Sequence, residues 1–236
     1  PDVKLFSISE AAGGEPFAYF YMDMFPREGK YKHAAAFDLI KGRLLADGTY
    51  RKPVSAIVAN FDKPTAERPS LLTHDDVDTY FHEFGHIMHQ TLTRARFSRF
   101  SGSEVARDFV EGPSQMLENW VWDPEVLSSL SGHYQDRSKK LPKEMLDKMI
   151  AARNADSGLF NLRQLNFASI DQLYHTAPPS DTTGAYAKVM KEVFLIPMSE
   201  GTHPQAGFGH LMGYDAGYYG YLWSKVYAQD MFSRFE

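Results

Sequence analysis

Cysteine is absent from the sequence, and this absence removes several classes of site at once. Without thiols there are no disulfides, no thiolate metal sites and no cysteine nucleophile. A metal ion would therefore have to be bound by histidine, aspartate or glutamate. The lack of cysteine fits a reducing compartment and, together with the lack of a targeting signal, leads us to expect a cytoplasmic protein.

Long apolar runs and long basic runs are absent as well. No apolar stretch reaches the roughly 18 residues that can cross a bilayer, and residues 1–4 lack the apolar core of a signal peptide. The formal net charge is -5, with no basic run to offset it. We therefore expect neither a nucleic acid nor a membrane as a partner. The sequence leaves the oligomeric state open.

The sequence does contain enough apolar material for a substantial core, since 43% of its 236 residues are hydrophobic. With no repeat and no flexible linker, we expect a single domain over residues 1–236. The aromatic-rich stretch 17–25, a turn at Asp47-Gly48 and the stretch 55–61 predict a small sheet. We expect residues 55–61 to form its edge, where an extended peptide could pair with it.

Helical patterns dominate after residue 70. Thr73, followed by Asp75 and Asp76, predicts an N-cap and an acidic first turn for a helix over about residues 74–93. Further helices are predicted over 108–122, 143–153, 159–174, 185–195 and 221–235. The expected fold is α+β and mostly α-helical, with a small twisted sheet beside the first helix.

That first helix carries the motif His82-Glu83-Phe84-Gly85-His86. Two histidines four residues apart share one helical face and can bind the same ion, and zinc accepts imidazole nitrogens. Glu83 would sit beside the metal, in position to take a proton from a water molecule on it. An amphipathic core helix would explain the apolar stripe of this segment but not the histidines.

Spacing alone leaves the third ligand open. His89 lies seven residues beyond His82, and helix rise separates their α carbons by about 10.5 Å, too far for one tetrahedral ion. Glu111 is better placed, because it precedes Pro113 at the start of a second helix. Glu118 is an alternative, and a surface position is the usual fate of a glutamate.

Three sequence blocks resemble the thimet oligopeptidase and neurolysin group of zinc peptidases, family M3. They are VANFDKPT at 58–65, TYFHEFGHIMHQ at 79–90 and DFVEGPSQMLENWVW at 108–122. The resemblance covers essentially the whole chain. It implies a zincin-like catalytic domain with one zinc ion held by His82, His86 and Glu111, and with Glu83 as the catalytic glutamate.

A fourth block, FGHLMGYDAGYYGYLWS at 208–224, resembles the family's tyrosine-rich loop. The resemblance implies that His210 and Tyr218 bind substrate and that Tyr214 and Tyr221 act in catalysis. A phenol hydroxyl can donate to the oxyanion formed when water attacks a carbonyl, although ordinary aromatic packing is the alternative for each tyrosine. From His210 to Tyr214 the loop is one residue shorter than the family pattern, so we expect it to be less flexible.

Three more residues are expected to support the ligands. Asp78 and Arg107 each precede a ligand by one helical turn, and an ion pair between them would brace the two metal-bearing helices. Glu118 belongs to this outer set when it is not itself a ligand.

The resemblance implies a zinc-dependent endopeptidase that cuts short peptides by direct attack of water. Family members have a helical N-terminal region that forms the opposite wall of a deep channel, and this wall is missing here. Either these residues are a fragment of a longer chain, or the chain is a short natural variant with an exposed site. The alternative is therefore a zinc-containing peptide-binding module with little or no turnover. A purely structural zinc fits less well with three ligands and a neighbouring glutamate.

Overall fold

The computed structural model of the chain describes residues 2–235. Strands fill its first quarter and helices dominate the rest, which confirms the predicted α+β, mostly helical class. The strands are β1 Val3–Ile8, β2 Ala18–Asp23, β3 Ala35–Ile40, β4 Arg43–Leu44, β5 Tyr50–Arg51 and β6 Val54–Val58. The α-helices are α1 His74–Thr91, α2 Gly112–Leu117, α3 Pro124–Leu130, α4 Lys143–Ala152, α5 Ser157–Thr176, α6 Thr182–Val189 and α7 Gly220–Phe232.

The main sheet has the strand order β1-β2-β6-β3. β6 runs parallel to β2 and antiparallel to β3, so it is hydrogen-bonded on both sides. The prediction that residues 55–61 form the sheet edge is therefore wrong, and the edge on this side is β3. The predicted turn at Asp47-Gly48 is confirmed: it joins β4 to β5, and Gly48 adopts φ +83°.

Helix α1 packs across this sheet. Ile57 of β6 and Ile87 of α1 are fully buried and form a core cluster with Phe20 of β2. Tyr80 and Phe84 of α1 pack against the same cluster. Each buried aliphatic side chain contributes about 1.5–3 kcal/mol, so this contact fixes the position of the helix that carries the metal motif.

The start of α1 follows the predicted cap. The Thr73 side chain accepts a hydrogen bond from the Asp76 N–H, and the Asp76 carboxylate accepts one from the Thr73 N–H at 2.9 Å. This reciprocal capping box contributes about 1 kcal/mol. The helix ends at Thr91, close to the predicted end.

The predicted helix over 108–122 is wrong in its first part. α2 begins only at Gly112, and a short 3-10 helix, Glu118–Trp122, follows it. Proline has no N–H and disfavours the helical conformation in the residue before it. Pro113 therefore fits the first turn of a helix and not its middle, which leaves Glu111 at the N-cap.

Helices α1 and α2 approach each other very closely at Gly85. A Cβ atom at this position would lie 2.5 Å from the α carbon of Ser114 and 2.7 Å from the carbonyl oxygen of Pro113. No residue with a side chain fits there without moving backbone. The contact brings the start of α2, and with it Glu111, against the face of α1 that carries the histidines.

Candidate metal centre and cleft

His82, His86 and Glu111 converge at the contact between α1 and α2. Glu111 Oε2 lies 3.3 Å from His82 Nε2 and 3.0 Å from His86 Nε2. One ligand atom from each of the three residues lies within 4.8 Å of the others. The structure thus brings together the two histidines of the motif and the glutamate that sequence spacing favoured.

This group fits a zinc ion in both geometry and chemistry. Ligands about 2.0–2.1 Å from a tetrahedral ion stand roughly 3.4 Å from one another, close to the two measured separations. Two imidazole nitrogens and one carboxylate oxygen are also a donor set that catalytic zinc accepts, with a fourth position left for water or substrate. The fit favours zinc over the hard cations, which prefer oxygen ligands.

The electrostatics of the group favour a bound cation. Burial alone would lower the pKa of His82, but hydrogen bonds with Glu111 and Glu118 outweigh it and raise the pKa to about 10. Burial likewise opposes ionisation of Glu111, yet the two imidazoles hold its pKa well below the usual range. A carboxylate between two imidazoles attracts positive charge, whether as protons or as a metal ion.

Two side chains hold the ligands in orientation. His82 Nδ1 lies 2.7 Å from Glu118 Oε1, so that Nδ1–H donates to the carboxylate while Nε2 faces Glu111. Ser114, fully buried in α2, donates to Glu111 Oε2 at 2.9 Å. A carboxylate on the far side of a histidine ligand fixes its tautomer and raises its basicity.

The predicted ion pair between Asp78 and Arg107 is not among the ion pairs of residues 2–235. Arg107 is exposed and donates to the carbonyl of Asp215 at 3.4 Å. Asp78 lies near Glu118, and its pKa is raised to about 6, first by burial and then by the charge of Glu118. The reason is that residues 107–111 form turns and not a helix, so Arg107 is not one helical turn from Glu111.

Glu83 faces a cleft of about 420 Å³ that also contains the three ligands. The start of β3 forms one side of this cleft through Ala34, Ala35 and Ala36. Glu83 is only 7% exposed, and burial raises its pKa above the ordinary value. A carboxyl group that holds a proton more readily than usual suits a residue that must accept and return one.

Tyr214 and Tyr221 line the same cleft, their rings 5.4 Å apart. The Tyr214 hydroxyl donates to the carbonyl of Arg107 at 3.1 Å, and the Tyr221 hydroxyl lies 3.3 Å from His210 Nε2. Burial raises the pKa of both phenols and lowers that of His210. The tyrosines are therefore neutral donors at physiological pH.

Tyr218 and His210 are placed differently from Tyr214 and Tyr221, because neither is among the residues that line the cleft. Tyr218 is 8% exposed. Its hydroxyl donates to Gln164 Oε1 of α5 at 2.9 Å, and burial raises its pKa to about 12. In this conformation it packs behind the cleft against His210 and Tyr221, at 5.0 and 5.1 Å between ring centroids.

His89 lies in the wall of a second, larger cavity of about 820 Å³ on α1. Most of the lining is apolar, including Phe81, Phe84, Met88 and Leu92. His89 Nδ1 is buried with no hydrogen-bond partner in the described structure, and burial lowers its pKa. This cavity contains neither the ligand group nor Glu83, all of which line the smaller cleft.

Sequence reasoning missed three residues that shape the site, namely Gly85, Ser114 and Asp171. A glycine in the middle of a helix weakens it and often marks a close approach, so Gly85 could have been noticed. Nothing local distinguishes Ser114. Asp171 is fully buried in α5 and accepts hydrogen bonds from the tyrosine-rich loop, which depends on contacts distant in sequence.

A sheet-backed helix with a His-Glu-x-x-His motif, completed by a glutamate from a following helix, defines the zincin-like class of metal-site proteins. The profile of Peptidase family M3 matches residues 1–236, and the chain belongs to this family. It is 47% identical to the thimet-like oligopeptidase of Dictyostelium discoideum over 241 residues, and 44% identical to oligopeptidase A of Escherichia coli (strain K12) over 244 residues.

Each of these alignments covers 100% of the chain but only 36% and 35% of the relative, so the chain spans about a third of the length of the curated relatives it matches. A solved structure of PZ peptidase A with inhibitor 2 superimposes with a TM-score of 0.57 at 16% identity, over 90% of this chain and 34% of that one. This likeness supports the fold. Within residues 2–235, no helix is both long and apolar enough to cross a membrane.

Proposed function

We propose that this chain is the catalytic region of a zinc-dependent endopeptidase that hydrolyses internal bonds of short peptides. The observation that carries the proposal is the convergence of His82, His86 and Glu111 in a cleft that also contains the buried carboxyl group of Glu83. Membership of family M3, and relatives named oligopeptidases, support the same function.

The roles of the side chains follow from their positions. A zinc ion bound by the three ligands would supply Lewis acidity toward the scissile carbonyl and the attacking water. Glu83 accepts the proton of that water and delivers it to the leaving amine nitrogen. Tyr221 donates a hydrogen bond to the oxyanion, and His210 orients its hydroxyl. Tyr214 can donate a second one once its hydroxyl leaves the carbonyl of Arg107, to which it donates in this structure.

The substrate is proposed to lie along β3. This strand forms the edge of the main sheet opposite β1, and its first residues, Ala35 and Ala36, border the cleft. An extended peptide can add to such an edge through main-chain hydrogen bonds. Small side chains there let the peptide backbone approach the metal centre.

The test is hydrolysis of an internally quenched short peptide by the zinc-loaded chain, with Glu83→Gln as the matched variant and zinc content measured on both. We expect cleavage by the wild type and at least about a thousandfold slower cleavage by the zinc-bound variant, because the general base is lost. If both proteins bind one zinc ion and neither cleaves, while the peptide still binds, the chain is a peptide-binding module and the proposal fails.

A further inference from the structure

Asp171 is a buried carboxylate with no direct part in the proposed chemistry. It lies in α5, its side chain is 0% exposed, and it does not line the cleft. Burying a carboxylate is costly unless its oxygens accept hydrogen bonds. Its partners therefore indicate what it does.

Both oxygens of Asp171 accept hydrogen bonds from the backbone of the tyrosine-rich loop. Oδ1 accepts from the N–H of Ala216 at 2.8 Å, and Oδ2 accepts from the N–H of Tyr218 at 2.9 Å. The next residue of α5, Gln172, donates to the carbonyl of Ala216 at 2.9 Å. His175 Nδ1 lies 2.8 Å from the backbone carbonyl oxygen of Asp171 and 3.1 Å from its Oδ1. Two adjacent side chains of α5 thus hold the loop by three backbone groups.

The loop needs such a restraint at this point. Ala216 has a φ of 53°, in the left-handed region that is unfavourable for a residue with a Cβ. Hydrogen bonds between a carboxylate and backbone N–H groups are about twice as strong as neutral ones. Two of them can therefore hold a loop conformation that is unfavourable by itself.

The restrained segment positions the aromatic groups of the cleft. The ring of Tyr218 stands 5.1 Å from that of Tyr221 and 5.0 Å from that of His210, and its hydroxyl is bonded to Gln164 of α5. Helix α5 thus fixes both the backbone and the hydroxyl of Tyr218. Tyr221, which lines the cleft, packs against that fixed ring.

We propose that Asp171, assisted by Gln172, is a positioning residue that holds the tyrosine-rich loop against α5 and so aims Tyr221 into the cleft. The claim that Asp171 restrains the loop is supported by the hydrogen bonds alone. The effect on catalysis rests on the proposed function, so the two parts need separate measurements.

The main test is Asp171→Asn in the zinc-loaded chain. The amide nitrogen of asparagine cannot accept from an N–H, so one loop amide loses its acceptor while side-chain size is unchanged. We expect the amides of residues 214–218 to exchange at least about tenfold faster by hydrogen–deuterium exchange. We expect kcat to fall about tenfold or more, with KM changed less than about threefold and zinc content unchanged, since the Tyr221 hydroxyl that the loop positions acts in the transition state.

The matched control is Asp23→Asn, which removes another buried carboxylate, bound by Arg27 and Lys30 beside the sheet. It should lower the melting temperature but leave loop exchange and kcat at wild-type values. A purely structural role for Asp171 would make the two variants behave alike in kcat once both are folded.

The outcomes separate the inference from the proposed function. Asp171→Asn with wild-type loop exchange, or with faster exchange and wild-type kcat, overturns the positioning role. A wild-type chain that does not cleave peptides overturns the proposed function, whereas faster exchange in the variant would still support the hold on the loop. If Asp171→Asn does not fold, Gln172→Ala removes an exposed hydrogen bond instead. About threefold faster loop exchange is then expected, and unchanged exchange contradicts the inference.

Discussion

The hydrogen bond between His82 and Glu118 is expected to strengthen the binding of zinc by His82. Glu118 Oε1 lies 2.7 Å from His82 Nδ1, and the glutamate side chain is 26% exposed, so the carboxylate is only partly screened by water. Removal of such a partner typically weakens metal binding 10–100-fold, or about 1.4–2.7 kcal/mol. Zinc affinity is thus expected to depend on a residue that does not touch the ion.

Two substitutions divide this effect into its parts. Glu118→Gln keeps an oxygen that can accept from Nδ1–H but loses the charge, so we expect about tenfold weaker zinc binding. Glu118→Ala loses the acceptor as well, and the expected loss approaches about 100-fold. Glu125→Gln, at an exposed position in the first turn of α3, is the charge-matched control and should bind zinc like the wild type.

The assay is competition for zinc against a chromophoric chelator at fixed pH and salt. The order wild type, Glu118→Gln, Glu118→Ala is expected from tightest to weakest. Wild-type affinity in Glu118→Ala would refute the reasoning, because His82 would then be oriented without its partner. Equal loss in the Glu125→Gln control would show that overall charge, and not this contact, sets the affinity.

Three further outcomes are expected. Gly85→Ala should destabilise the fold by about 2 kcal/mol and lower the zinc content, because the new Cβ meets the backbone of α2. The control Gly158→Ala has open space around it and should do neither. Thermal unfolding of the two variants measures the difference in stability. Tyr221→Phe should lower kcat about 100-fold with little change in KM, and Tyr227→Phe on the outer face of α7 should change neither. Asp78→Asn should stabilise the metal-free chain by about 1–2 kcal/mol near pH 8. The pKa of Asp78 is about 6 in the folded chain, so its ionisation destabilises the fold progressively as the pH rises from about 4 to about 6. The stabilisation by Asp78→Asn, measured by urea unfolding, should therefore be smaller near pH 5 than near pH 8.

The parts of the site that sequence could predict are those encoded locally. The spacing of His82 and His86 places both on one face of α1 whatever surrounds the helix. The capping box of Thr73 and Asp76 involves only four consecutive residues and can therefore be predicted from the sequence. The position of β6 within the sheet cannot be predicted in this way, because it depends on pairing with β2 and β3, which are distant in sequence. Its buried Ser55 and Ile57 mark a central strand only once those neighbours are known.

The convergence of the ligands depends on a helix start that local pattern obscured. Periodicity alone continues one helix from 108 to 122, which would place Glu111 within the first turn and direct its side chain along a regular helix. Because of Pro113, α2 begins only at Gly112, and Glu111 is its N-cap with φ -83° and ψ -4°. Its carboxylate then reaches back to both Nε2 atoms, at 3.0 and 3.3 Å.

That reach is short enough only because Gly85 lets the two backbones approach. With any side chain at this position, the start of α2 would have to move away from α1, since the atoms in contact are backbone. A displacement of about 1 Å would lengthen the separations of 3.0 and 3.3 Å to about 4 Å, beyond the roughly 3.4 Å between two ligands of one tetrahedral zinc ion. Gly85 and Pro113 therefore act together with the three ligands, although neither has a group that binds metal.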